Sequence, residues 1–205
     1  MKEMETRQLT TTMELRELEN NEEIIEGYAL KFNQWSNPLG IKNRFVERIN
    51  SRALEETDMS NTVARVNHDK NQIVGRTNAN MDLEVDDIGL KFRIKPNNST
   101  VTRDLIENIR SGLINQCSFA FTVAQEERAQ EWVKSEERGM LERTINKIDK
   151  LFDVSMVTTP AYNDTEVVIG TRGLEMVEEL THDPNEQEIK RMLDDLDKEE
   201  ILNTL

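Results

Sequence analysis

The sequence holds one cysteine, Cys117, in 205 residues. That excludes an internal disulfide and suits a reducing compartment such as the cytoplasm. Histidine is nearly as scarce, with His68 and His182 alone. His182 lies in an acidic C-terminal stretch, so one cysteine and one remaining histidine give no zinc cluster. No apolar run approaches the ~20 residues that a membrane-spanning helix needs. Met1 to Thr12 is polar and lacks the apolar stretch of a signal peptide. Positive charge is in deficit, with 26 Lys and Arg against 40 Asp and Glu and a net charge of −14. This argues against nucleic-acid binding through a broad basic surface. Neither a Gly-rich phosphate loop nor a Gly-x-Ser-x-Gly elbow occurs. Repeats and low-complexity tracts are also missing. No cofactor, metal or membrane partner is expected.

The chain is long enough for one domain with a real core plus an appendage. Residues 174–205 carry 11 acidic and 3 basic side chains, a net of −8, and the residues before them hold the remaining 29 and 23. The expected division is a domain over residues 1–172 and an acidic tail, helical or flexible, over 173–205. Ile189, Met192, Leu193, Leu196 and Ile201 recur in that tail at helical spacing. Upstream the pattern is short and β-like. Strands are predicted at Met13–Leu18, Ile24–Phe32, Phe45–Ile49, Thr62–Val66, Ile73–Thr77, Met81–Val85, Leu90–Ile94, Cys117–Val123, Met140–Ile148 and Leu151–Thr158. Gly27 suggests a bulge or close backbone approach, and Asp86–Gly89 a hairpin turn. A short helix is predicted from Ser51 to about Thr57. A longer one fits Ser99–Ser111, with Val101, Leu105, Ile106 and Ile109 on one face and Gly112 at its end. The charged stretch Gln125–Arg138 reads as an exposed excursion. Together these imply an α+β, mainly β domain.

Cys117 stands beside Ser118, and strand alternation separates them. Cys117, Phe119, Phe121 and Val123 form a bulky apolar face suited to the core, where a free cysteine behaves as a small hydrophobe. Ser118, Ala120 and Thr122 form a small polar face that can border a cleft. A serine hydroxyl needs a general base to become a nucleophile at neutral pH. His68 ends a predicted strand just before a turn, a common place for functional groups. A third group should orient the imidazole. Asp153 offers one, as a carboxylate inside an otherwise apolar strand that needs a partner. On that strand Phe152, Val154 and Met156 are assigned to the core face, and Leu151, Asp153, Ser155 and Val157 to the other. Asp69 neighbours His68 and suits shaping the turn. Each residue also has an ordinary reading: a strand serine, a loop histidine, a structural ion pair.

Taken in order, "EGYALKFN" (26–33), "NHDKNQIVGR" (67–76), "SFAF" (118–121) and "FDVSMVTTPAYNDTEV" (152–167) resemble the prohead maturation proteases of tailed bacteriophages. "GLKFRIKP" and the helix before "SGLINQCSF" also fit, so the resemblance spans about residues 7–170. It implies a β-barrel like that of the herpesvirus assembly proteases, with a few flanking helices. It implies a serine endopeptidase with Ser118 as nucleophile, His68 as base and Asp153 in the third position. There the family usually has glutamate, one methylene longer. Gly is common in the family where Ala120 stands.

The implied substrate is the scaffold-like segment of the major capsid protein, cut inside the assembling prohead in the host cytoplasm, with self-cleavage in addition. Portal and scaffold proteins and a homo-oligomer such as a dimer are further implied partners. Two competing readings stand beside this one. A non-enzymatic capsid-assembly factor would use the domain as a scaffold. A cysteine hydrolase would use Cys117, which must then face His68.

Overall fold

Alternating apolar and polar residues separated by turns build a mainly β structure. The computed structural model describes residues 4–9, 13–17, 23–40 and 45–158. The strands are β1 (Glu5–Leu9), β2 (Met13–Glu17), β3 (Glu23–Lys31), β4 (Phe45–Ile49), β5 (Val63–Val66), β6 (Ile73–Arg76), β7 (Met81–Val85) and β8 (Gly89–Ile94). After the helix α1 (Thr100–Arg110) come β9 (Gln116–Val123), β10 (Gln130–Ser135), β11 (Met140–Ile145) and β12 (Ile148–Val157). They form three sheets, ordered β1-β9-β12-β5-β6, β2-β3-β8-β7 and β10-β11-β4. Neighbours pair antiparallel except β12 with β5 and β11 with β4, which are parallel. The mainly β class is as expected. Among the described residues no sheet closes into a barrel. The proposed boundary at residue 172, the acidic tail and His182 lie outside the described residues.

One core runs through the molecule. Ile25 and Leu30 of β3, Phe92 and Ile94 of β8, Phe119 and Phe121 of β9, and Val154 and Met156 of β12 are all fully enclosed in it. Helix α1 joins through Leu105 and Ile106. Ser99 caps the helix by accepting the Thr102 N–H at 3.2 Å. Gly112, at φ +74°, turns the chain away in the left-handed region. At the β7–β8 hairpin the Asp86 N–H donates to the Gly89 carbonyl. A Cβ on Gly89 would sit 2.0 Å from the Leu30 carbonyl oxygen, so the close approach of β8 to β3 requires glycine there.

Four local expectations differ from the structure. Residues 51–56 form successive turns rather than a helix, with Ala53 N–H on Asn50 C=O and Glu55 N–H on Arg52 C=O. Asn50 accepts the Arg52 N–H with its side chain, the local bond that favours turns over helix. The polar N-terminus contributes a strand, β1. The charged excursion contains another, β10, which buries Gln130 and Trp132 and exposes Glu131 and Val133. On β12, the register slips between Leu151 and Asp153, so Phe152 is a bulged residue without a partner on β9. The slip moves Leu151 to the core face and leaves Phe152 half-buried, the reverse of strict alternation.

Candidate active site

The site is built on the middle of the five-stranded sheet. Ser118 of β9 pairs with Ser155 of β12, and Asp153 of β12 pairs with Ala120 of β9. Cross-strand partners point to the same side of a sheet. Ser118, Asp153 and Ser155 therefore share the face opposite the core. β5 runs parallel on the other side of β12, with Asp153 beside Val63 and Met156 beside Val66. Directly after β5, Asn67 and His68 both take positive φ, 51° and 57°. Two consecutive non-glycine residues in this region are uncommon and need support from their surroundings. Here the Asn67 N–H donates to the Met156 carbonyl at 3.0 Å. The Asn67 side-chain oxygen accepts the Thr158 N–H at 3.2 Å. The turn beyond is shaped by Asp69, whose carboxylate accepts the Asn71 N–H. The result is an imidazole folded back across β12 toward β9.

Three stretches far apart in sequence meet there. His68 Nε2 lies 2.6 Å from Ser118 Oγ. His68 Nδ1 lies 2.7 Å from Asp153 Oδ1. An ionised carboxylate only accepts, so Nδ1 carries the proton and Nε2 faces the serine hydroxyl with its lone pair in the neutral ring. Aspartate, the shorter of the two carboxylic side chains, spans the gap. It reaches because the left-handed turn brings the ring down to the strand.

Other groups hold the carboxylate. Ser155 Oγ–H donates to Asp153 Oδ1 at 3.0 Å, and Ser155 Oγ accepts the His68 backbone N–H at 3.2 Å. Arg65 Nη1 donates to Asp153 Oδ2 at 3.1 Å. Asp153 is only 2 % exposed, and His68 is 24 % exposed. A buried carboxylate is tolerated when it is paired and hydrogen-bonded in this way. Reading the sequence gives Ser155 its face but no role, and Arg65 no role at all. The spacing Asp-x-Ser on one strand face is the signal for the first. Arg65 carries no local signal, since its partner lies 88 residues away.

Two expectations about β9 are resolved by burial. Cys117 is fully enclosed in the core, so it lies on the other side of the strand from Ser118. Ser118 itself does not border an open cleft; its exposure is 0 %. The cover includes β1, which pairs with β9 so that Gln8 faces Ser118. Ser118 Oγ also lies 2.8 Å from the Arg7 carbonyl oxygen, to which it can donate.

Among the described residues, no helix is long and apolar enough to cross a membrane. Among the same residues, no three His, Cys, Asp or Glu side chains are grouped to hold a metal ion. The arrangement of Ser118, His68 and Asp153 fits proton transfer between a hydroxyl and an imidazole backed by a carboxylate.

Comparison with known proteins gives three findings. No curated protein sequence matches the chain. The solved structure of the bacteriophage T4 capsid assembly protease, gp21, is 14% identical with a TM-score of 0.45, covering 76% of this chain and 97% of that one. The family described as caudovirus prohead serine protease matches residues 11–180. With most of its length inside that match, the chain belongs to the caudovirus prohead serine proteases.

Proposed function

We propose that this protein is a serine endopeptidase that cleaves the scaffold-like segment of the major capsid protein, and also itself, during prohead maturation. The observation that carries the reading is the continuous hydrogen-bonded path Ser118–His68–Asp153 in a member of this family. Ser118 is the nucleophile, His68 the general base and Asp153 the group that fixes the ring. His68 Nε2 takes the hydroxyl proton as Oγ bonds to the peptide carbonyl carbon. The same proton then goes to the leaving amine as the peptide C–N bond breaks. Water, deprotonated by His68, releases the acyl group and restores Ser118. The protein acts inside the assembling shell in the host cytoplasm. The domain over residues 1–172 does the chemistry in a herpesvirus-protease-like barrel. The acidic tail, 173–205, is trimmed or helps retain the enzyme in the shell. Portal and scaffold proteins and a second copy of the chain are further partners of the same reading.

The test is to express the chain with the capsid protein of the same phage and follow both by mass. Wild type should shorten the capsid protein, and Ser118→Ala should leave it full length. Unchanged processing by Ser118→Ala would remove the enzyme reading and leave a capsid-assembly factor. Activity retained by Cys117→Ala would remove the cysteine reading.

A further inference from the structure

A protease must bring its nucleophile to a substrate carbonyl, yet Ser118 is fully enclosed. Its hydroxyl has one proton and, among the described residues, two acceptors within reach, His68 Nε2 at 2.6 Å and the Arg7 carbonyl at 2.8 Å. While the proton is on the bond to Arg7, His68 cannot take it. The second acceptor belongs to β1, which among the described residues is the edge strand of its sheet and pairs there with β9 alone. With Gln8 opposite Ser118, the Arg7–Gln8 peptide link lies against the hydroxyl. An extended segment beside the strand that carries the nucleophile is the arrangement of peptide recognition by strand addition. Its main-chain bonds do not depend on sequence. Another extended peptide could make them in β1's place.

The side chains of β1 supply the selectivity. Glu5 and Arg7 alternate onto one face and enter a buried charge cluster. Arg143 Nη1 and Nη2 donate to Glu5 at 2.6 and 2.9 Å. Arg7 Nε and Nη2 donate to Glu47 at 2.8 and 3.0 Å. Arg143 also donates to Glu47 at 2.7 Å and to Gln130 at 2.6 and 2.8 Å. Strand β1 brings one negative and one positive charge. If it leaves, Glu47 and Arg143 remain paired with each other, and no net charge is stranded in the interior. What it vacates is a place for an acidic side chain on Arg143 and a basic one on Glu47, two residues apart.

We propose that β1 is an internal occupant of the substrate slot. The β9 edge takes an extended peptide with an acidic residue followed, two positions later, by a basic one, and β1 must leave before that peptide binds. Arg143 and Glu47 are the residues that select it. This rests on the serine endopeptidase reading above.

The register supplies a reversible lock. Leu9 pairs with Cys117, so Leu9→Cys sets a new thiol across from the native one. Cross-strand Cα atoms lie about 4.5–5.5 Å apart, within disulfide range. The full-length variant is prepared oxidised and reduced, each state confirmed by intact mass. It is treated with a small fluorophosphonate, whose attachment to Ser118 is read by mass. The reduced form sets the reference rate. The oxidised form should label about tenfold more slowly or less, because reaction follows the population of the open state. Added reductant should restore the rate.

A labelled synthetic peptide copying residues 3–10, EMETRQLT, should bind the reduced form. Its counterpart with glutamine at both charged positions of β1 should bind far more weakly. Equal labelling of the two redox states, or equal binding of the two peptides, overturns the proposal and leaves the serine reading intact. If the disulfide does not form, Glu5→Gln with Arg7→Gln in the full chain replaces it, with folding checked by circular dichroism. That chain should label several-fold faster than wild type, and an unchanged or slower rate overturns the proposal. No labelling of Ser118 in any form removes the serine reading, and this inference falls with it.

Discussion

Ser155 sits directly opposite Ser118 in the antiparallel pairing of β9 and β12, and its hydroxyl joins the Asp153 carboxylate to the His68 backbone. The proposed nucleophile and the group that aligns its proposed base therefore rest on one cross-strand pair. Their relative position is set by the ladder rather than by a loop. Precision of this kind is what a proton relay over hydrogen-bond distances needs.

Ser155→Ala removes an acceptor from the His68 N–H and a donor from Asp153. The expected result is a kcat about 10- to 100-fold lower with KM little changed, from loss of alignment alone. A stability loss of about 1 kcal/mol accompanies it, because a half-buried N–H loses its partner. Steady-state kinetics with a peptide substrate measure the first effect and denaturant unfolding the second. Ser155→Thr keeps the hydroxyl and should recover most of kcat. Equal kcat for wild type and Ser155→Ala would show that the bridge does not position His68.

Asp153→Asn keeps the shape of the side chain but can present its amide to Nδ1, which favours the tautomer with the proton on the wrong nitrogen. The expected fall in kcat is about 10⁴-fold on the proposed mechanism. Asp153→Glu is informative in the opposite sense. The present reach is 2.7 Å with Arg65 and Ser155 also engaged, so an added methylene must displace one of these contacts. Asp153→Glu should therefore be slower than wild type. Parallel kcat measurements on the two variants decide the point.

Much of this site is legible in the sequence because it sits on regular strands. Alternation separates Cys117 from Ser118, and a carboxylate amid apolar residues marks Asp153. What alternation cannot foresee is a change of register, and the bulge at Phe152 exchanges the faces of Phe152 and Leu151. The left-handed pair Asn67–His68 is equally silent, since neither residue is glycine. β1 and β10 escape detection for a different reason. The inward positions Glu5 and Arg7 of β1 and Gln130 of β10 are polar; β1 finds its partners, Glu47 and Arg143, on another sheet, and Gln130 finds Arg143 on the neighbouring strand β11. Long-range pairing makes a buried surface out of residues that read locally as solvated.

Arg143 is the centre of that pairing, with 0 % exposure and contacts to Glu5, Glu47 and Gln130. Its guanidinium also lies 5.3 Å from the centre of the Trp132 ring. Arg143→Met fills similar volume but leaves two carboxylates sharing Arg7. The expected loss is about 3–5 kcal/mol, the usual cost of breaking a buried charge network from one side. Urea unfolding followed by circular dichroism measures it. A loss below about 1 kcal/mol would mean that the cluster is hydrated or loosely packed.

Tyr28 donates its hydroxyl proton to Asp86 at 2.7 Å, joining β3 to the β7–β8 hairpin. This bond, ahead of the opposing effect of burial, holds the Asp86 carboxyl below its usual range, with the Gly89 and Ile88 N–H groups adding to it. The same bond, followed by burial, pushes the Tyr28 hydroxyl up. A depressed carboxyl contributes stability that is present above its unfolded value, about 3.9, and fades as pH falls through the folded one. A raised phenol contributes below its unfolded value, about 10, and that part is lost as pH rises through the folded one. The bond should therefore act in full from about pH 5 to pH 9. Tyr28→Phe is expected to cost about 1 kcal/mol across that window, the usual worth of such a bond at a half-exposed site. Its stability curve should converge on that of wild type below and above the window. Unfolding midpoints of both chains, measured from pH 3 to pH 11 (a span of about one unit beyond each value), test the shape. A difference that stays constant across the whole range would assign the loss to packing of the ring instead.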